Sequence, residues 1–207
     1  MQQVIDGLWI GDYQASQDAD LLSKNGIECI VSASSSPSLS LNFPKISSTH
    51  LASILVRQEY DAPGGVDMHR VAVDDTATTN IAEHFVPTAN FIDSALGKGL
   101  GVLVHCQAGV SRSTTLVAAY LMIKLGLNVE QAVEKVRTVR PQVEPTQFFL
   151  LQLEMFERCH CEWDPVKVSS SESIIRLLNS TDFPPFVFAV ARRTSIPHVL
   201  RSISDNG

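Results

Sequence analysis

The chain has 207 residues, of which 44% are hydrophobic and 18% are charged, and its net charge at pH 7 is −6. These values predict a folded globular protein with one substantial core, and they exclude an intrinsically disordered chain and a basic protein with a general attraction for nucleic acid. No signal peptide opens the chain, no apolar run is long enough to span a bilayer, and four cysteines are too few for a disulfide framework. We therefore expect an intracellular protein of the cytoplasm or nucleus, with no membrane and no nucleic-acid partner.

Extended and helical segments alternate along residues 1–161. Glycines bound the extended segments, and apolar residues recur every three or four positions in the helical ones. In chain order, the pattern predicts two short strands within 4–11, a helix over 18–26, strands over 27–31 and 68–73, a helix over 80–96, a strand over 102–104, and helices over 113–122, 128–139 and 145–159. Pro87 lies inside the 80–96 pattern, where it indicates a kink or a late helix start.

Two parts of the chain lack a clear pattern. Residues 32–67 are longer than an ordinary connection between strands, so we expect a long insert there. Residues 162–207 begin with a serine-rich linker, and prolines interrupt their apolar run, so we expect a tail rather than an independent domain. Residues 1–161 are expected to form one α/β domain, with a central mixed sheet flanked by helices.

Residues 101–113, with the sequence GVLVHCQAGVSRS, carry the strongest chemical signal. An apolar strand precedes the loop and an apolar helix follows it, so backbone N–H groups and the helix dipole favour an anion there. Gly109 permits close approach of the backbone to a ligand, and the guanidinium of Arg112 can bind two phosphate oxygens. The predicted phosphate-binding loop consists of Gln107, Ala108, Gly109, Val110, Ser111 and Arg112.

Cys106 lies at the base of this loop. The positive field that attracts a phosphate also favours thiolate over thiol, because it stabilises only the charged form. A thiolate beneath an anion site is suited to attack on phosphorus through a covalent phosphocysteine. Ser113 is placed to donate a hydrogen bond to the sulfur when the thiolate departs in the second step.

A carboxylic acid is the usual partner of such a nucleophile, because an alkoxide or phenoxide leaves phosphorus slowly unless it is protonated. Asp74 and Asp75 follow the strand predicted over 68–73. We favour Asp75 as the general acid because Asp74 still belongs to the strand edge, whereas Asp75 is freer to swing over the site. The competing interpretation is that both are solvated loop carboxylates.

Other reactive side chains have simpler interpretations. In an extended strand the side chain of His105 points away from that of Cys106, so we predict a structural role for His105. Cys29 is interpreted as a small core residue, with a redox partnership with Cys106 as the alternative. Cys159 and Cys161 flank a histidine, but no second pair of ligands follows, so we predict neither a metal site nor a cofactor.

The motif HCQAGVSRS resembles the signature loop of the dual specificity branch of cysteine-based protein phosphatases. The resemblance runs from about residue 4 to residue 157 and includes GLWIGD, VAVDDTATTN and FFLLQLEMFE. It implies four catalytic assignments: the nucleophile is Cys106, the phosphate-binding arginine is Arg112, the hydroxyl that assists thiolate departure is Ser113, and the general acid is Asp75. Asn80 corresponds to a supporting asparagine, and Thr146 stands where an asparagine is frequent.

The resemblance implies a protein phosphatase that hydrolyses phosphotyrosine and phosphoserine or phosphothreonine in phosphorylated proteins. Two alternatives stay open, a catalytically dormant phosphoprotein-binding scaffold and a phosphatase of a non-protein phosphate ester. A scaffold would be free to lose Cys106, Arg112 or Asp75, and all three are present. Lysines in the loop would favour a highly charged inositol phosphate, but Gln107 and Ala108 are neutral. The oligomeric state is not predicted.

Overall fold

The computed structural model of the chain describes residues 1–34 and 66–161. In these residues the strands are β1 (Gln2–Ile5), β2 (Leu8–Asp12), β3 (Ile27–Ser34), β4 (Asp67–Ala72) and β5 (Gly101–Cys106). The helices are α1 (Tyr13–Gln17), α2 (Ala19–Lys24), α3 (Phe85–Gly97), α4 (Arg112–Leu125), α5 (Val129–Val139) and α6 (Gln147–Arg158), and a 3₁₀ turn at Ala82–His84 precedes α3.

The strands form one mixed sheet in the order β1-β2-β5-β3-β4. β1 and β2 are antiparallel, and the other neighbours are parallel, so the predicted mixed sheet is confirmed. β5 is central and buried along its whole length. At its carboxyl end Cys106 pairs with Asp12 of β2 on one side and Ala33 of β3 on the other. Cys106 therefore lies where three parallel strands end, at the edge where open α/β sheets place ligands.

Alternating side chains of β3 and β5 build two cores, one on each face of the sheet. Ile30 and Leu103 pack with Leu22 of α2 in the smaller core. Val31 and Val104 belong to the larger core, which includes buried residues from α3, α4, α5 and α6. The helices therefore flank the sheet as expected. Within the described residues no single helix is long and apolar enough to span a membrane, and only α4 and α5, bent by 119°, pass that test as a pair.

Several boundaries differ from the sequence prediction. β3 continues to Ser34 because Ser32 and Ala33 remain buried and hydrogen-bonded in the sheet, so the irregular stretch does not begin at 32. The predicted insert also ends early, because Asp67 already belongs to β4. Residues 35–65 of the insert and the predicted tail, residues 162–207, lie outside the described residues. The α1 helix was not predicted; Asp12 caps it by accepting a hydrogen bond from the Ala15 N–H at 2.9 Å.

Pro87 produces a late helix start rather than a kink. α3 begins at Phe85, so Pro87 occupies its first turn, where a missing N–H breaks no helical hydrogen bond. The preceding residues that the pattern assigned to the helix form a loop and the 3₁₀ turn instead. The segment between β4 and α3, which contains Asp75, therefore connects the edge of the sheet to the helices packed on it.

Candidate active site

The carbonyl groups of the loop after Cys106 are all held from outside the loop. The acceptor, donor and distance in each case are Gln107 O from Tyr13 N (3.3 Å), Ala108 O from Arg140 Nη2 (3.1 Å), Gly109 O from Arg140 Nε (2.8 Å), Val110 O from Glu144 N (3.0 Å) and Ser111 O from Thr115 N (2.9 Å). A trans peptide unit points its N–H opposite to its carbonyl, and the described residues contain no cis peptide bond. The N–H groups of residues 108–112 therefore face the inner side of the loop, where an anion would be bound.

Gly109 is required for the shape of this loop. Its φ is +66°, in the left-handed region that favours glycine. A Cβ at this position would lie 2.5 Å from the carbonyl oxygen of Gly11 and 2.7 Å from Nη2 of Arg140. The loop consequently lies directly against the end of β2, with no room for a larger residue at its turn.

Cys106 is the last residue of β5, and only 2% of its surface is exposed. Its Sγ lies 3.2 Å from Oγ of Ser113 in the first turn of α4. Burial raises the pKa of the thiol, but hydrogen bonds from the Ser113 side chain and from the backbone of Ser113, Val110 and Gly109 outweigh it, so the pKa lies below its ordinary value. These donors stabilise the thiolate, which is the nucleophilic form of cysteine.

Asp75 is held against the loop, whereas Asp74 is not. Oδ1 of Asp75 accepts a hydrogen bond from Ser111 Oγ at 3.0 Å, and its Oδ2 lies 3.7 Å from Nε of Arg112. Ser111 Oγ also accepts a hydrogen bond from the Thr146 N–H at 3.3 Å, so its own proton is directed to the carboxylate. Asp74 instead lines a pocket with Asn80 and other residues between 72 and 83, and no residue of the phosphate-binding loop lines it.

Arg112 begins α4 with a guanidinium that is buried over most of its surface. Its Nη1 donates to the Val73 carbonyl at 3.1 Å, immediately before the segment that carries Asp75. This contact fixes the arginine between the phosphate-binding loop and the aspartate segment. The predicted nucleophile, loop, serine, arginine and aspartate are thus brought together at one edge of the sheet.

His105 is buried on β5, and only 1% of its surface is exposed. Burial lowers its pKa from about 6.5 to about 4, despite a backbone hydrogen bond at Cys106 and the charge of Asp12, which both raise it. The imidazole is therefore neutral at pH 7 and is not a proton donor there. This environment agrees with the structural role that strand geometry predicted.

Cys29 is too far from Cys106 to form a disulfide. In the sheet register Cys29 pairs with Val102, whereas Cys106 pairs with Ala33, four residues further along β3. At about 3.3 Å per residue this offset is about 13 Å, whereas bonded cysteines have Cα atoms within about 7 Å. The alternative of a redox partnership with Cys106 is therefore wrong, and Cys29 is a core residue.

Arg140 is a site residue that the sequence pattern does not identify, since it only follows the helix predicted over 128–139. It is 4% exposed, and besides the two loop carbonyls it donates to Oδ2 of Asp12 at 3.2 Å and Oε1 of Gln2 at 2.6 Å. Its partners on the loop are 31 or 32 residues distant in sequence. No local pattern could have indicated them.

The family model of the dual specificity phosphatase catalytic domain matches residues 8–159. The chain belongs to the dual specificity phosphatase family. It is 35% identical over 156 residues to mouse (Mus musculus) dual specificity protein phosphatase 15, covering 75% of this chain and 57% of that protein. It is 32% identical over 158 residues to dual specificity protein phosphatase 1B of Arabidopsis thaliana, covering 76% of this chain and 82% of that protein.

Solved structures of the family share the fold. A crystal structure of DUSP15 has a TM-score of 0.61 and 31% identity, covering 88% of this chain and 96% of the other. The human tyrosine phosphatase-like serine/threonine/tyrosine-interacting protein has a TM-score of 0.63 and 29% identity, covering 78% of this chain and 98% of the other. The resemblance of the cysteine loop to dual specificity phosphatases is thereby confirmed. Since the chain spans 57% of the length of the mouse relative, the activity of the whole protein is a matter for proposal.

Proposed function

We propose that this chain is a protein phosphatase that hydrolyses phosphotyrosine and phosphoserine or phosphothreonine through a phosphocysteine on Cys106. The observation that carries the proposal is the environment of Cys106 Sγ, which lies beneath inward-facing N–H groups and within 3.2 Å of Ser113 Oγ. That arrangement stabilises a thiolate and a phosphate dianion at adjacent positions. Residues 1–161 are proposed to be the catalytic domain.

In the first step, the substrate phosphate binds to the N–H groups of residues 108–112 and to the guanidinium of Arg112. Sγ of Cys106 attacks phosphorus, and the bond from phosphorus to the ester oxygen breaks. Protonated Asp75 transfers its proton to that oxygen, so the product alcohol or phenol leaves uncharged. The enzyme then holds a phosphocysteine and an ionised Asp75.

In the second step, water attacks the phosphocysteine and gives a proton to the Asp75 carboxylate. The S–P bond breaks, inorganic phosphate leaves, and the sulfur departs as a thiolate. A hydrogen bond from Ser113 Oγ stabilises the departing thiolate. Both steps depend on positioning and on charge stabilisation rather than on a cofactor.

Two substitutions and a matched control test the assignments. Cys106→Ser is expected to abolish hydrolysis of every phosphate monoester. Asp75→Asn is expected to slow phenyl phosphate by at least ~100-fold, but 2,4-dinitrophenyl phosphate much less, because an activated leaving group needs no proton. Asp74→Asn is the control, since Asp74 lies outside the loop, and both rates should stay within about twofold.

The outcome decides each role separately. Equal slowing of both esters by Asp75→Asn would show that Asp75 is not the general acid. Hydrolysis by Cys106→Ser at the wild-type rate would show that the reaction does not pass through a phosphocysteine. Turnover of phosphotyrosine and phosphothreonine peptides by the wild type would support the proposed substrate class, whereas turnover of inositol phosphates alone would contradict it.

A further inference from the structure

We propose that Arg140 is a positioning residue that turns the Gly109 and Val110 N–H groups toward Cys106 Sγ by binding the carbonyl groups on the far side of the same peptide planes. The inference adds to the proposed function, on which it rests for the catalytic role of Cys106. It concerns a residue 34 positions after the cysteine, outside the signature loop.

The argument follows from the geometry of two consecutive peptide units. One unit contains the Ala108 carbonyl and the Gly109 N–H, and the next contains the Gly109 carbonyl and the Val110 N–H. Arg140 Nη2 binds the first carbonyl at 3.1 Å and its Nε binds the second at 2.8 Å. Because the N–H of a trans unit points opposite to its carbonyl, both N–H groups are directed inward. These are two of the three backbone groups that hydrogen-bond the Cys106 sulfur.

The guanidinium is itself held in one orientation. Its remaining contacts are Oδ2 of Asp12 at 3.2 Å and Oε1 of Gln2 at 2.6 Å. Asp12 is also fixed, because its other oxygen caps α1. An arginine fork anchored on the first two strands can therefore hold two carbonyls at a defined spacing, which a single ammonium group cannot do.

The other loop carbonyls are bound differently. Those of Gln107, Val110 and Ser111 each accept a hydrogen bond from a backbone N–H group. The carbonyls of Val110 and Ser111 accept a second one from the hydroxyls of Thr114 and Thr115, and all three carbonyls keep a backbone donor whatever the side chain. Only the two carbonyls at the turn, on either side of the positive φ of Gly109, depend on one side chain in this part of the structure. Replacing Arg140 should therefore release the part of the loop that contacts the sulfur.

The test measures the titration of Cys106 in the full chain without any substrate. The rate at which iodoacetamide alkylates Cys106 is followed against pH, by mass spectrometry of the peptide that contains Cys106. We expect Arg140→Met to raise the midpoint by about one pKa unit, which is about a tenfold loss of thiolate at any pH well below both midpoints. The kcat/KM for an aryl phosphate should fall by a similar factor in that low pH range and recover as the pH rises above the new midpoint.

Two controls separate positioning from a loss of stability. Arg137→Met removes an exposed arginine of α5, the helix that Arg140 follows, and should leave the midpoint unchanged, because Arg137 bonds to Glu134 of the same helix. Asn128→Ala removes the cap of α5 and should lower Tm without moving the midpoint. A merely structural Arg140 would behave like Asn128, with a lower Tm and an unchanged midpoint, and that result would overturn the proposal.

Arg140→Lys decides the matter if the methionine variant does not fold. It keeps a positive charge near Asp12 but cannot hold both carbonyls, so a raised midpoint supports the proposal and an unchanged midpoint overturns it. The outcome is also independent of the proposed function. If the Arg140 variants shift the midpoint but the wild type has no phosphatase activity, only the phosphatase assignment is refuted. If the wild type is active but the Arg140 variants leave the midpoint unchanged, only the role of Arg140 is refuted.

Discussion

At the scale of single residues, two serine hydroxyls, one in the loop and one in the first turn of α4, contact different groups of the site. Ser113 Oγ lies 3.2 Å from the Cys106 sulfur, whereas Ser111 Oγ donates to Asp75 at 3.0 Å. The sequence motif identifies Ser113 through its place beside the arginine. It gives no indication that the Ser111 side chain holds Asp75, because that contact joins residues 36 positions apart.

The two serines should therefore differ in their kinetic signatures. Ser111→Ala releases Asp75, so we expect kcat/KM for phenyl phosphate to fall about tenfold, with a smaller loss for 2,4-dinitrophenyl phosphate. Ser113→Ala weakens thiolate departure, so its kcat should become nearly independent of the leaving group. Steady-state kinetics on a series of aryl phosphates measures both. A loss in Ser111→Ala that is the same for every leaving group would show that Ser111 does not act through Asp75.

At the scale of elements, α6 holds the loop that follows Asp75 through one buried amide. Gln152 accepts a hydrogen bond from the Ala82 N–H at 3.1 Å and donates to the Thr79 carbonyl at 2.9 Å. The apolar spacing of α6 places Gln152 on the buried face, where sequence alone predicts only packing. The structure shows instead that Gln152 supplies hydrogen bonds to the loop after Asp75, which lies outside the sheet.

Gln152→Leu should therefore be destabilising even though leucine suits a buried helix face. It leaves the Ala82 N–H and the Thr79 carbonyl without their side-chain partner, and we expect a loss of about 1–3 kcal/mol in the free energy of unfolding. Urea unfolding measures it. Gln147→Leu, at an exposed position of the same helix, is the control and should change the value by less than about 0.5 kcal/mol. Equal stability of the two variants would show that the hydrogen bonds of Gln152 do not stabilise the loop.

At the scale of the whole molecule, the parts predicted from sequence are those that depend on short-range pattern. The strand and helix around Cys106 and the start of the helix predicted over 128–139 are local features, and the sequence predicts them. The contacts that Arg140 and Gln152 make with other parts of the fold join segments 31 to 138 residues apart, so no periodicity encodes them. The sequence does not predict the extension of β3 to Ser34 for a related reason. Ser32 is polar, and it is buried only because its neighbours in the sheet cover it.

The buried His105 couples the stability of the whole fold to pH. Its pKa is about 6.5 in an exposed site and about 4 in the fold, where burial disfavours the charged form. The folded state thus binds fewer protons, and the stability from neutral His105 is present above pH 6.5 and lost as the pH falls toward 4. The full loss from this shift is about 3 kcal/mol.

Urea unfolding between pH 7 and pH 4.5 measures this coupling. The pKa values of His69 and His84 are also lowered by burial, so all three residues act in the same direction and the wild type alone does not isolate His105. We expect His105→Asn to flatten the dependence on pH, whereas the matched control His160→Asn, at an exposed position, should retain it. An identical slope in both variants would mean that folding does not lower the pKa of His105.

The covalent intermediate is the central claim at every scale, and it can be detected directly. The wild-type chain is mixed with an activated aryl phosphate, quenched in acid during turnover, digested and analysed by mass spectrometry. The account predicts a phosphoryl group on Cys106, present during turnover and absent once the substrate is exhausted. Turnover with Cys106 unmodified at every quench time, or with the phosphoryl group on another residue, would contradict it.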